Sequence, residues 1–240
     1  MGIIVPAIIP ISRKDLEEKL ALLQGQCEEV QIDIVDGEYA SPASWPYRED
    51  TAEPSRMLAE GEMLPHAGEF VFEIDLMSSN PESSTGTWIG LGATKITIHA
   101  ESTRFLSRFF ENARSQYGHD KDFSTDLLSF GLAIGTETNM ALIEPYLDRV
   151  EYVQFMGIRR IGVQGQPFES SVIQRIAAFK KKYPHIHISV DGGVTRENAP
   201  KLLKAGVSRL VAGSAIWKAP DPIHALRELT ALTETHGIYE

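Results

Sequence analysis

A single cysteine, Cys27, in 240 residues leaves nothing from which to build a disulfide framework, and this points to a reducing cytoplasm. Positive charge is also scarce. Lys and Arg number 23 against 33 Asp and Glu, a formal net charge of −10, which argues against a nucleic-acid partner. A local basic pocket for a small anionic metabolite stays compatible with that exterior. No apolar run approaches the roughly eighteen residues of a membrane span, and the opening Met-Gly-Ile-Ile-Val-Pro has neither the basic region nor the apolar stretch of a secretory signal. No Pro, Gly or Ser tract marks a linker, so residues 1–240 are expected to form one domain.

What is present is an alternation of β-rich runs with amphipathic segments from end to end. Strands are expected at Ile3–Ile8, Glu29–Val35, Phe70–Leu76, Lys95–His99, Phe130–Ile134, Tyr152–Met156, Ile186–Val190 and Arg209–Ala212. Apolar residues at three- and four-residue spacing predict helices at Arg13–Leu23, Ser102–Gln116, Ser170–Lys182, Arg196–Ala205 and Pro222–Thr233, with fainter patterns at Ser55–Met63 and Ser83–Leu91. The polar stretch Tyr117–Thr125 reads as a surface insertion before the fifth strand. Eight such units without a GxGxxG after the first strand favour a closed α/β fold, a (β/α)8 TIM barrel, over a doubly wound open sheet.

Barrel enzymes carry their chemistry at the C-terminal ends of the strands. Two glycine motifs stand there, Asp191-Gly192-Gly193-Val194 and Val211-Ala212-Gly213-Ser214, and both offer main-chain N–H groups to a phosphate. The remaining strand ends are acidic: Gln31-Ile32-Asp33-Ile34-Val35-Asp36, Glu73-Ile74-Asp75 and His99-Ala100-Glu101. Strand alternation points Gln31 and Asp33 to one face, where Asp75 and Asp191 can converge with them. Competing structural readings stay open for several of these residues. Asp36 is expected to cap the loop that follows it. Asp75 would be spoken for if a core Lys or Arg paired with it, and His99 fits a core position as well as a pocket contact. Arg159-Arg160 fits a solvated loop or a phosphate clamp equally. His185 and His187 share a face but fall at the start of a strand, away from the chemistry, so a metal role is not expected of them. The aromatic segment Ser44-Trp45-Pro46-Tyr47 is expected near the pocket, as a cover.

These motifs, in this order, resemble the ribulose-phosphate 3-epimerase family. Val5-Pro6-Ala7-Ile8-Ile9 is similar to the family's Pro-Ser-Ile-Leu, Gln31 to Gly37 to its His-x-Asp-x-Met-Asp-Gly, and Glu73 to Met77 to its Asp-x-His-Leu-Met. His99-Ala100-Glu101, Gly131 to Ile134 and Gly162-Val163-Gln164-Gly165-Gln166-Pro167-Phe168 continue the series. The resemblance implies inversion of a carbon next to the ketone of a sugar phosphate, with Asp33 and Asp191 as the two proton carriers. It also implies a phosphate held by Gly162, Gly165, Gln166, Gly192, Gly193, Gly213 and Ser214, and a divalent cation at Gln31, Asp33, Asp75 and Asp191. Here the family's two histidines are Gln31 and Asp75. An oxygen-only set favours Mg²⁺ or Mn²⁺ over Zn²⁺ or Fe²⁺, and no organic cofactor is called for. Ala7 replaces a serine, Gly135-Thr136 an Asn-Pro, and the loop after strand six is one residue longer. Two other readings stand beside the epimerase: another phosphosugar barrel enzyme, whether isomerase, lyase or aldolase, and a non-catalytic barrel that binds a phosphorylated metabolite. Assembly of copies is left open.

Overall fold

Every second residue of these strands is aliphatic, and those residues cannot share one face with the carboxylates between them, so the strands are obliged to separate two environments. In a computed structural model that describes residues 2–118 and 128–236, they do so by closing a ring. The strands are β1 (Ile3–Ile8), β2 (Glu29–Val35), β3 (Val71–Met77), β4 (Ala93–His99), β5 (Ser129–Ile134), β6 (Tyr152–Met156), β7 (His187–Asp191) and β8 (Arg209–Ala212). All neighbours are parallel, and β8 pairs with β1, giving the expected (β/α)8 barrel. The helices are α1 (Arg13–Leu23), α2 (Glu53–Ala59), α3 (Glu82–Gly90), α4 (Leu106–Tyr117), α5 (Ser171–Lys182), α6 (Ala199–Lys204), α7 (Ser214–Trp217) and α8 (Pro222–His236). Between β5 and β6 the described connection is two 3-10 turns, Met140–Leu142 and Glu144–Tyr146. The expected insertion at Tyr117–Thr125 lies almost wholly outside the described residues.

Two of the clearly periodic helices begin later than their periodicity suggests. α4 begins at Leu106, four residues later than expected, after Phe105 takes a non-helical backbone. α6 begins at Ala199 because Asn198 spends its side chain on the preceding loop, accepting from Thr195 N at 2.8 Å and donating to the Gly193 carbonyl at 2.8 Å. The Asn198 bonds hold the loop after β7 at the barrel's C-terminal face. β3 runs one residue later than expected, and Asp75 lies directly beside Asp33 in the β2–β3 register.

The apolar core lies between the barrel and its helices. Ile4, Ile32, Ile34, Ile74, Leu76, Ile96 and Ile98 face outward from the strands and pack with Leu16, Leu20, Trp88, Phe109, Phe179 and Leu202, all buried. Each such side chain contributes about 1.5–3 kcal/mol on leaving water. Trp45, fully buried, joins this layer edge-on to Trp88 at 5.8 Å and donates from Nε1 to Glu53. The segment Ser44–Tyr47 is thus an anchor of the outer core and does not line the pocket it was expected to cover.

Inside the ring the side chains are mostly polar. Toward the N-terminal end, Arg209 bonds both Glu29 and Glu73, while Lys95 pairs with Glu29 at 2.8 Å. Glu73 also accepts from Thr97 Oγ1 and from the Tyr152 hydroxyl at 2.9 Å. Burial alone would raise the Glu73 carboxyl, but the Arg209 guanidinium beside it and these bonds hold it below its ordinary value. This network occupies the barrel's cations and leaves Asp75, farther along β3, to other partners. No helix among the described residues is long and apolar enough to cross a membrane.

Candidate active site

Asp33, Asp75 and Asp191 are delivered to one point by β2, β3 and β7. Each offers a carboxylate oxygen, these oxygens lie within 4.8 Å of one another, and all three residues are buried. Gln31, two residues before Asp33 and so on the same inward face, reaches into the group. Its Nε2 donates to Asp33 Oδ1 at 2.8 Å and Asp191 Oδ2 at 3.3 Å, with Asp75 Oδ2 at 3.5 Å. Its Oε1 is buried without a partner. All four residues expected from the sequence are therefore together.

Among the described residues Asp75 pairs with neither Lys nor Arg. His99 Nε2 meets its Oδ1 at 3.0 Å, and Gln154 Nε2 donates to its Oδ2 at 3.0 Å. His99 is thus a buried neighbour of the cluster, with the Tyr39 ring 5.5 Å away. Burial disfavours its charged form, yet the adjacent Asp75 carboxylate outweighs that and raises the imidazole above its ordinary value. Gln154 escaped the sequence reading. Its signal was its position on β6, two residues before the pocket-lining Met156 and on the same face.

Three acids this close resist shared ionisation. Burial first, and then the charges of Asp191 and Asp75, hold the Asp33 carboxyl well above its ordinary value. Burial and the Asp75 charge push Asp191 up to about 7. The folded protein therefore binds protons that the unfolded chain, with carboxyls near 3.8, has released. Stability linked to Asp191 is fully present below that value and is lost as pH rises through about 7. With chelator present, denaturant titrations from pH 4.5 to 7.5 should show a loss on the order of 3 kcal/mol from this group, at about 1.4 kcal/mol per pH unit up to the folded value. A flat profile would refute it.

The pocket above the carboxylates is lined by Asp33 and Asp191, by Met77 and Met156, and by Gly162, Gly165, Gly192, Gly193, Gly213 and Ser214. Gly192 carries φ +97°, and a Cβ there would lie 2.6 Å from Ile158, so the second residue of the Asp-Gly-Gly turn has to be glycine. Gln166 was expected in this group and lies elsewhere. Its amide is spent inside its own loop, accepting from Arg160 N at 3.3 Å and donating to the carbonyls of Arg160 and Val163. Gln164 lines the pocket instead, beside Gly213. Arg159 turns outward to Glu169 at 2.9 Å, the contact of a solvated loop residue. Asp36 caps its loop, accepting from Glu38 N and Tyr39 N at 2.8 Å each and from Ser79 N at 2.7 Å. His185 and His187 are exposed, with His187 opening β7 at the end remote from Asp191.

The changed loop after β5 has its own fasteners. Glu101 Oε1 accepts from Gly135 N at 2.8 Å and from the Thr138 hydroxyl, while Arg175 of α5 gathers the carbonyls of Gly135, Thr136 and Thr138. Across the mouth, Ile161 packs with Tyr39, Ala40, Val35 and Met77, joining the loops after β2 and β6.

The fold is shared with 3-hexulose-6-phosphate synthase from Salmonella typhimurium, at a TM-score of 0.66 and 12% identity over 98% of this chain and 100% of that one. Sequence similarity points more narrowly. The chloroplastic ribulose-5-phosphate-3-epimerase of Arabidopsis thaliana is 28% identical over 237 residues, covering 95% of this chain and 76% of the relative. The ribulose-phosphate 3-epimerase of Aquifex aeolicus is 23% identical over 240 residues, covering 97% of each. A family model described as the ribulose-phosphate 3 epimerase family matches residues 3–217, nearly the full chain, and this protein belongs to that family.

Proposed function

We propose that this chain is a ketose-phosphate 3-epimerase, with ribulose 5-phosphate as the first substrate to test. The observation that carries the reading is the union, in one pocket, of two buried carboxylates with raised proton affinity and a set of glycine main chains suited to a phosphate. Inversion at a carbon next to a ketone needs one group to take the proton from one face and another to return a proton to the opposite face. Asp33 and Asp191 come from strands on different sides of the ring. Their mutual repulsion keeps one protonated while the other is ionised, which is the starting state such an exchange requires. The ionised acid takes the proton, the C–H electron pair passes into the enediolate, and the protonated acid supplies the new C–H bond. The protonation states of the two acids are then reversed, and the return reaction begins from that state. Gln31, bonded to both, holds their separation.

The donor set fits a divalent cation: three carboxylates with oxygens within 4.8 Å and an amide oxygen, Gln31 Oε1, that lacks any partner. Gln31, Asp33, Asp75 and Asp191 would hold it, and a cation there supplies positive charge to the developing enediolate oxygens. With oxygen ligands alone, Mg²⁺ or Mn²⁺ suits the site better than Zn²⁺ or Fe²⁺. His99 and Gln154 fix Asp75 from behind in either case.

The test is incorporation of solvent deuterium into ribulose 5-phosphate, with epimerisation followed in parallel, after chelation and after readdition of Mg²⁺, Mn²⁺ or Zn²⁺. Exchange should be restored by Mg²⁺ or Mn²⁺ at least tenfold above the chelated protein. No exchange under any condition removes the epimerase reading, and full activity in chelator removes the cation alone.

A further inference from the structure

The phosphate end of the pocket is built mainly from neutral main chain, and its opposite side carries Asp33 and Asp191. A phosphate dianion entering that space meets glycine N–H groups and two acids, so a cation at the rim would change its affinity markedly. Most basic side chains near the loops are committed elsewhere. Arg159 is paired with Glu169, Arg175 with three carbonyls, Arg196 with Glu228 and Lys19 with Asp15.

Arg160 and Lys218 both lack a side-chain ion pair among the described residues, and of these two Lys218 is the one seated against a pocket-lining glycine. It follows α7 directly, and its Nζ lies 2.3 Å from the point that a Cβ on Gly165 would occupy, with Ser214 Cβ 3.9 Å from the same point. The ammonium therefore fills the space that a side chain at 165 would take, between two residues that line the pocket. Gly165 carries φ +85°, so this space is kept clear by the backbone conformation as well as by the missing side chain. The residue before Lys218 is pinned, since Trp217 Nε1 donates to the Ala7 carbonyl near the end of β1 at 2.7 Å. Among the described residues no carboxylate forms a salt bridge with Lys218.

We propose that Lys218 is a phosphate-binding residue of this chain, its ammonium joining the N–H groups around Gly165, Gly193 and Ser214 on the phosphate of the substrate. This rests on the reading of the substrate as a phosphorylated ketose. It assigns the cationic contact to the segment after β8, where the sequence had offered Arg159-Arg160 in the loop after β6. The partly exposed rim position leaves the ammonium free to follow the phosphate as it enters.

Binding of inorganic phosphate to the full chain, measured by calorimetry at low ionic strength, tests this without turnover. Lys218→Met should weaken phosphate about tenfold, as expected for loss of a charge-assisted hydrogen bond, and Lys218→Arg should stay within about threefold of the parent. Added salt should narrow the gap between the parent and Lys218→Met. In turnover, Lys218→Met should raise KM for ribulose 5-phosphate by more than it lowers kcat. Unchanged phosphate affinity in Lys218→Met, or a parent chain that binds no phosphate, overturns the assignment. Loss of phosphate affinity in Lys218→Met alongside a parent that never exchanges deuterium would keep Lys218 and remove the epimerase reading instead.

Discussion

Asp33→Asn and Asp191→Asn should each slow epimerisation by roughly 10³-fold or more while raising the melting temperature of the chelator-treated protein. The two effects share a cause. A carboxylate that transfers the proton cannot be replaced by an amide, and the same carboxylate is held buried beside two others, where its charge is unwelcome. An asparagine keeps the shape and can still bond to Gln31 after its amide reorients. The stability gain should be confined to neutral pH and vanish near pH 4, where the parent's carboxyls are protonated as well. A role as proton carrier further implies that each variant keeps slow deuterium exchange with one epimer only, the two variants retaining opposite ones. Loss of exchange with both epimers in both variants would indicate ligands to a cation rather than proton carriers. An Asn variant that epimerises within tenfold of the parent would sink the two-acid mechanism.

The second large effect lies at the other end of the barrel interior. Arg209→Met should cost about 3–5 kcal/mol, because it leaves Glu29 and Glu73 buried with their shared guanidinium gone. For a chain of this size that lowers Tm by on the order of 10 °C. Glu73 depends on it most, being fully buried and bonded besides, among the described residues, to the Thr97 and Tyr152 hydroxyls, whereas Glu29 retains Lys95. The double variant Arg209→Met, Glu73→Gln should therefore recover a substantial part of the loss. Arg209 Nε and Nη1 are themselves buried without partners, so the methionine also relieves two unmet donors. Chemical denaturation of the three proteins decides the matter: a loss under 1 kcal/mol for the single variant would show that water reaches this layer and screens it.

The strands were legible because their aliphatic residues alternate with polar ones that also need burial, and β1, β2, β6 and β8 fall on the expected residues. Asp33, Asp75, Asp191 and Gln31 converge as their positions on strand ends required. Registers were less accessible: nothing local in Phe70 to Met77 distinguishes a strand that starts at 70 from one that starts at 71, and pairing with β2 makes that choice. α7 was missed because four residues are too few to show a helical period. Gln166 turns into its own loop and Gln164 lines the pocket in its stead for a related reason. Which side chain of a loop turns inward depends on contacts between segments far apart in sequence, here Gly165 with Lys218 and the loop after β2 with the loop after β6. Trp45 looked like a pocket lid because aromatic residues after strand two stood out, yet an indole fully buried between helices is a packing residue.

The closed ring assigns its tasks by half. β1 to β4 contribute Gln31, Asp33, Asp75 and His99, and β5 to β8 with their loops contribute Gly165, Gly193 and Ser214, with Lys218 beside Gly165. Asp191 and Gln154 cross that division, an acid and an amide carried by the half that otherwise supplies anchorage. A recombined barrel that took its second half from another phosphate-binding relative would thus inherit a working grip on the ligand and a single-sided chemistry, able to loosen a proton and unable to return it from the other face.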